Sequence, residues 1–398
     1  MLRRQFLNSS ILAAVTPAPA ADDDAAWLKI RKEHFALPDW RAYLNTGSVG
    51  AAPNRVVKVT NDYLAQGAGF STEVYPRWGY EPMEAHRTAL AKFLGTSMQE
   101  LALTHNATES MSLIANGLDL NSGDEVLITD QEHPSGRGCW LLKQARAGIK
   151  VREAKMPIPP DNEDQLAEAL LSQIGPQTRV ISFSGITTHT GLIFPIQKIC
   201  KAARAKGIIT VVDGAHLAGQ IPFRIDDFGC DVFAGSLHKW LLTPPGCGVL
   251  YVNRDFQSRL WPTIVVDGWQ NSKDAFKYMQ LGCNNRAELE GVLEALRFIE
   301  ELGAPRIYDR IHNLAQYAYS RAKQVPYLKV LSSPNHKLYG GMVAFEVDRP
   351  DYAPLWAKLS QRKVWTLRGP KIRISSHIHT RRSDIDLFFD TLKEVFGS

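Results

Sequence analysis

From residue 101 onward the sequence switches back and forth between two hydrophobic periods. "GDEVLITD" is a short apolar run entered by a turn, and "GCWLLKQARAGI" spaces its apolar residues as a helix does. "KVREAKM" reads as a strand, "EDQLAEALLSQI" as a helix and "TRVISFSGI" as a buried strand. "PIQKICKAARAKG" is a helix closed by Gly207, while "IITVVDGAH", "DVFAGSLHKW" and "GVLYVN" are further strands. Ahead of them, "ELALTHNATESMSLIANGLDL" gives a strand, a polar turn and a helix with Met111, Ile114, Ala115 and Leu118 on its apolar face. Strands separated by helices must be joined by crossovers. The expected fold class is therefore α/β, a mostly parallel sheet with helices on both faces.

The pattern changes near residue 286. "RAELEGVLEALRFIEELG" is a long helix, continued after Pro305 by "RIYDRIHNLAQYAYSRAKQV". "GGMVAFEV", "DYAPLWAKLSQRK", "KIRISSHI" and "SDIDLFFDTLKEVF" then read strand, helix, strand, helix, which suits a smaller α+β domain. A length of 398 residues fits two domains. The boundaries read as a large domain over 51–285, linking helices and a small C-terminal domain over 286–398, and a segment 21–50 joining the small domain.

No apolar run approaches the ~20 residues of a membrane span. The net charge of +5 is mild and no basic stripe is interleaved with aromatics, which excludes nucleic acid as the expected partner. "RKVWTLRGPKIR" is locally basic and suits an anionic small molecule. The five cysteines (Cys139, Cys200, Cys230, Cys247, Cys283) include no CxxC pair, so neither a zinc site nor a redox pair is signalled. "HIH" at 377–379 reads as one histidine in and one out on a strand, so no metal site is expected. At the start, "MLRRQFLNSSILAAVTPAPA" orders twin arginines, Phe6-Leu7, a short apolar stretch and a small-residue cleavage site. This resembles a twin-arginine signal peptide over residues 1–20. It predicts export of the folded protein to the periplasm by the twin-arginine machinery.

In open parallel sheets, ligands sit beyond the carboxyl ends of the strands, and polar clusters fall there. Asp213 ends the apolar strand "IITVVD"; a buried carboxylate needs a partner, although a lone aspartate here also caps turns. "NATES" (106–110) opens a helix, whose free N–H groups suit a phosphate or a simple cap. "QEHPSG" sets His133 after a strand, where it can stack on a heterocycle or pack in the core. "AGSLHKWLLTPPG" places Ser236 and His238 beside Lys239, an ammonium among apolar neighbours. No GxGxxG follows a strand and no GxxxxGK[ST] occurs, so both nucleotide fingerprints are missing. Pyridoxal 5'-phosphate accounts for the whole set. It takes a lysine as a Schiff base, an acid opposite its pyridine nitrogen, donors for its phosphate and a planar group over its ring.

With these residues in view, the sequence resembles the class V aminotransferase family of fold type I pyridoxal-phosphate enzymes, which also holds cysteine desulfurases, isopenicillin N epimerases and C–S lyases. The resemblance runs from "YLNTGSVGAAP" (43–53) through "VVDGAH" and "AGSLHKWLLTPPGCGVLYV" to "KIRISSHIHTRRSDID". It implies the Schiff-base role for Lys239 and the pyridine nitrogen for Asp213. Ala107, Thr108, Ser236 and His238 take the phosphate and His133 the stacking position. His216 stands near the phenolic oxygen, where desulfurases carry glutamine, and Arg373 takes the substrate carboxylate. Thr188 falls where desulfurases have asparagine, which leaves its role open. In "LGCNN", Cys283 replaces a threonine that reaches the neighbouring subunit's phosphate in the family, and no cysteine follows it to serve as a desulfurase nucleophile. The expected activity is aminotransferase-type, on a free or peptide-borne amino group. Epimerisation, β- or C–S elimination, tailoring of a siderophore side chain and a non-catalytic relative are the alternatives. The resemblance also implies a homodimer. "GFSTEVYPRWGYEP" (69–82) suits an entrance, a subunit face or ordinary packing.

Overall fold

The computed structural model describes residue 20 and residues 22–69 and 81–397. The twin-arginine reading, apart from Ala20, and most of the aromatic stretch at 69–82 lie outside the described residues.

The chain opens with α1 (Asp24–His34), β1 (Ala42–Tyr43), α2 (Asn54–Gly69) and α3 (Glu84–Leu94). The alternating region follows as β2 (Leu101–Thr104), α4 (Ala107–Gly117), β3 (Glu125–Thr129), α5 (Pro134–Ala147), β4 (Lys150–Ala154) and α6 (Glu163–Leu171). It continues with β5 (Thr178–Ser184), α7 (Ile196–Arg204), β6 (Ile209–Asp213), α8 (Ile225–Phe228), β7 (Val232–Ser236) and β8 (Gly248–Val252). These strands form one seven-stranded sheet in the order β2-β8-β7-β6-β5-β3-β4. The four neighbouring pairs from β7 to β4 are parallel, and β8 alone runs against its neighbours. β6 is buried from Ile209 to Asp213, because helices cover both faces; a near-continuous apolar run is what such a central parallel strand requires.

Two helices lead out, α9 (Arg286–Leu302) and α10 (Ala304–Lys323). The break falls at Gly303 (φ 91°), and Pro305 sits inside the first turn of α10, where its missing N–H costs nothing. The last part comprises β9 (Leu328–Val330), β10 (Met342–Val347), α11 (Ala353–Gln361), β11 (Val364–Trp365), β12 (Lys371–Ser375) and α12 (Arg382–Phe396). β12, β10 and β9 make a three-stranded antiparallel sheet, and β11 pairs in parallel with β1.

Two buried apolar clusters result. The larger surrounds the seven-stranded sheet and takes in Trp27, Ile30 and Phe35 from the N-terminal segment. The smaller holds the C-terminal sheet and helices together with Ala42 and Leu44. The segment 21–50 thus contributes side chains to both.

Two local expectations are corrected. β7 ends at Ser236, and Leu237–Trp240 form a turn beyond the strand end. His377 and His379 lie past the end of β12 and are both fully buried, so the in-and-out alternation of a strand does not apply. His377 Nε2 lies 3.0 Å from the Trp240 carbonyl oxygen, a contact in which the ring nitrogen must be the donor.

Candidate active site

The predicted residues converge at the carboxyl ends of β6, β7 and β5 and the N-terminus of α4. Asp213 is the last residue of β6; its Oδ1 accepts the Ala215 N–H at 3.0 Å. Its Oδ2 faces Gly136 on α5, where an added Cβ would sit 3.2 Å away. Lys239 follows the end of β7 in the turn. Its Nζ lies 3.3 Å from His216 Nε2, which lies 3.1 Å from Thr188 Oγ1. Burial pushes the Lys239 amine down to about 8; Asp213 pulls it up and Arg373 pushes it further down. Burial also holds His216 well below its ordinary range, with Lys239, Arg373, His133 and His189 acting in the same direction.

At the start of α4, Asn106 is the N-cap, its Oδ1 accepting the Glu109 N–H at 2.9 Å. The Ala107 N–H donates to Ser236 Oγ at 3.0 Å, which ties the helix end to the end of β7 and leaves the serine hydroxyl proton free to donate. Thr108 is exposed on that first turn. The approach is so close that a Cβ on Gly248 of β8 would lie 2.6 Å from the Asn106 backbone. His238 Nδ1 lies 3.3 Å from the Cys247 carbonyl, so that nitrogen carries the proton. Burial and Lys239 lower the His238 pKa, against that carbonyl.

His133 caps α5, its Nδ1 accepting the Ser135 N–H at 3.1 Å. Its pKa is lowered by burial first and then by Lys239. Arg373, on β12, comes from the three-stranded C-terminal sheet and is only 1% exposed. It donates to Thr188 O at 2.8 Å, Asn45 Oδ1 at 3.0 Å and Ser48 Oγ at 3.2 Å, while its buried Nε has no partner among the described residues. Burial pushes Arg373 down to about 10. Two other arginines of the basic stretch are otherwise engaged: Arg362 pairs with Glu394, and Arg368 lies over the Trp365 ring. Cys283 is exposed, and its neighbour Asn284 contacts His105 within the same chain. Among the described residues no cluster of three or more metal-ligating side chains occurs.

Several site residues carry no signal in the sequence. Asn45, Gly47 and Ser48 lie in a loop before α2, and an added Cβ on Gly47 would meet the Arg373 guanidinium at 2.9 Å. Gly50, in the same loop, donates its N–H to His238 O at 2.8 Å. Glu132 is buried beneath Asp213, accepting from Thr129 Oγ1 at 2.5 Å, Ser184 Oγ at 2.6 Å and Ser184 N at 3.2 Å. Burial pushes this carboxyl up to about 7; the two hydroxyls oppose the shift and Asp213 adds to it. His189, next to Thr188, stands in the field of Lys371, Arg373 and His133.

These features fit pyridoxal phosphate. A lysine with a depressed pKa stands beside a buried carboxylate. A helix N-terminus and a serine hydroxyl face the same space. The unspent Nε of Arg373 matches a substrate carboxylate.

Comparison with known proteins agrees. The family pattern "Aminotransferase class-V" matches residues 42–386. The chain is 31% identical over 376 residues to the isopenicillin N epimerase of Streptomyces clavuligerus, covering 89% of this chain and 94% of that one. It is 25% identical over 395 residues to a cysteine desulfurase of Haloferax volcanii, covering 89% and 90%. Its fold matches the cysteine desulfurase of Thermococcus onnurineus with a TM-score of 0.81 at 21% identity, over 96% of this chain and 100% of that one. The cystine C–S lyase C-DES, solved with cysteine persulfide, matches with a TM-score of 0.80 at 24% identity, over 89% and 98%. The chain belongs to the class-V aminotransferase family, and its cofactor is pyridoxal 5'-phosphate.

Proposed function

We propose that this protein catalyses an aminotransferase-type proton shift at the Cα of an amino acid or a peptide-borne amine. The observation that carries this reading is Lys239, a single amine drawn down to about 8 among neighbours that are neutral imidazoles. The bound cofactor supplies the sink for the electron pair left at Cα. Lys239 would hold the cofactor, and its released neutral amine would take the α-proton and deliver it, along the same face, to the cofactor carbon rather than back to Cα. Asp213 would hold the ring nitrogen and favour its protonated form. Arg373 holds the carboxylate through Nε, with its other nitrogens fixed by Asn45, Ser48 and Thr188. Ser236 and the α4 N-terminus receive the phosphate. The proton on His238 Nδ1 leaves Nε2 as an acceptor, so His238 helps only by taking up a proton when the dianion binds.

Epimerisation is the second reading. It is supported by the 31% identity to isopenicillin N epimerase and by His189, a titratable group in the field of His133 and Arg373. Incubating holoenzyme with candidate amino acids in deuterated water separates the outcomes. A 2-oxo acid formed in step with loss of the visible chromophore supports transamination. Deuterium at Cα with inverted configuration supports epimerisation and overturns it. Ammonia or sulfide released without an amino acceptor marks elimination. The ordered twin arginines support export of the folded enzyme to the periplasm, which fractionation with and without Arg3→Lys/Arg4→Lys tests. The family resemblance supports a homodimer, which light scattering of the holoenzyme tests.

A further inference from the structure

We infer that Trp240 is a positioning residue that fixes the tautomer of His216, so that His216 presents its Nε2–H, rather than a bare nitrogen, toward Lys239 and the cofactor's phenolic oxygen.

The indole Nε1 of Trp240 donates to His216 Nδ1 at 3.2 Å. An indole nitrogen can only donate, so Nδ1 must be the unprotonated nitrogen of the ring. His216 is fully buried, and the charged groups nearest it (Lys239 and Arg373) are cationic, as His133 and His189 are when protonated; all disfavour imidazolium. A neutral ring with a bare Nδ1 carries its proton on Nε2. That proton is shared between Thr188 Oγ1 at 3.1 Å and Lys239 Nζ at 3.3 Å. The contact with Lys239 is then a hydrogen bond only when the amine is neutral, because an ammonium would face an N–H. The tautomer and the depressed lysine pKa are therefore mutually consistent.

Trp240 is itself held rigidly. Its carbonyl accepts from His377, and the backbone of Gly219 (φ 90°) passes so near that a Cβ there would lie 2.3 Å from that oxygen. Against the indole ring, a Cβ on Gly341 would lie 2.6 Å away. A glutamine carries its donor and acceptor on separate, fixed atoms; a histidine can carry its one proton on either nitrogen and needs an outside group to choose. Trp240 makes that choice.

The part concerning the phenolic oxygen rests on the proposed function, whereas the tautomer does not. The test is two-armed. Apoprotein labelled with 15N-histidine is studied by long-range 1H–15N correlation, with His216 assigned from the His216→Gln spectrum. At neutral pH, Nδ1 is expected at an unprotonated shift and Nε2 at a protonated one. An Nδ1-protonated or charged ring in the unaltered protein overturns the proposal, whatever any variant does. In the holoenzyme, Trp240→Phe is expected to raise the pH midpoint of the visible chromophore by about half to one unit, the effect of one lost hydrogen bond. In the His216→Gln background the same substitution is expected to leave the midpoint unmoved. An equal shift in both backgrounds means that the indole acts only through packing, and sinks the idea. If the protein takes up no cofactor, the proposed function fails while the NMR arm still decides the tautomer.

Discussion

At the scale of single residues, chemistry depends on one proton. An ordinary lysine is neutral to only about 0.03% at pH 7, whereas an amine at about 8 is neutral to roughly a tenth, a gain of about 300-fold in the reactive form. Because the pKa is lowered, the neutral form accumulates as pH rises through 8 and saturates above it. The rate at which apoenzyme captures pyridoxal phosphate is therefore expected to climb tenfold per unit below pH 7.5 and to level off by about pH 9. Stopped-flow absorbance checks this, and a rate still rising tenfold per unit at pH 10 contradicts it. Arg373→Lys keeps the charge but loses the fork shared with Asn45, Ser48 and Thr188. Initial rates are expected to show KM raised by roughly tenfold or more with a smaller fall in kcat. Lys239 and Asp213 stood out because a charge set against apolar sequence demands a reason, whereas Arg373 was named only through the family resemblance. Asn45 was not: it meets Arg373 across 328 residues, and an asparagine in a glycine-rich loop looks like any turn. Glu132 hid for a related reason, since nothing in "QEHPSG" says that the glutamate turns inward onto two hydroxyls.

At the scale of elements, the two hydrophobic periods carried most of the fold. β3, β5, β6 and β8 are buried along nearly their whole length, and a run of that kind between helical stretches has few other solutions. What the periods could not give is where a strand hands over to a turn. β7 stops at Ser236 because the next residues must present Lys239 to the site rather than continue the ladder, and this is a tertiary demand with no local mark. The "NATES" turn illustrates two readings that turn out to be compatible. Asn106 is an ordinary cap, and by ordering the first turn it also holds the Ala107 N–H on Ser236 Oγ, which leaves the serine hydroxyl proton to donate elsewhere. Asn106→Ala should cost about 1 kcal/mol of stability, as loss of a cap does. It should also weaken phosphate capture, because the end of α4 frays. Differential scanning fluorimetry of apo- and holoenzyme reads both effects. The expected result is a larger drop in Tm with cofactor present than without, and equal drops would assign Asn106 to capping alone.

At the scale of the whole molecule, the two apolar clusters meet at the site, since Arg373 comes from the small sheet and Lys239 from the large one. The N-terminal segment is what fixes their relation. Trp27, Ile30 and Phe35 enter the large cluster, β1 pairs with β11, and Leu44 enters the small cluster. Arg31 is the rivet. It is 1% exposed and donates to the carbonyls of His379 at 2.6 Å, Arg41 at 2.9 Å and Pro38 at 3.1 Å. Its partner Asp384 stands 3.8 Å away. A contact spanning 348 residues leaves no trace in periodicity, so the clasp could be found only in three dimensions. Arg31→Met fills much of the volume but leaves the buried His379 carbonyl and the part-buried Arg41 and Pro38 carbonyls without this donor. The expected loss is about 3–5 kcal/mol, seen as a Tm lower by about 5–10 °C. The same segment carries Asn45 and Ser48, so well below the new Tm the variant should still fold and bind cofactor but show a raised KM as Arg373 loses its registration. A melting temperature within about 1 °C of the parent would mean that water replaces the guanidinium at little cost. The clasp would then add little to the other contacts between the two clusters, such as those of Arg373 with Thr188 and of His377 with Trp240.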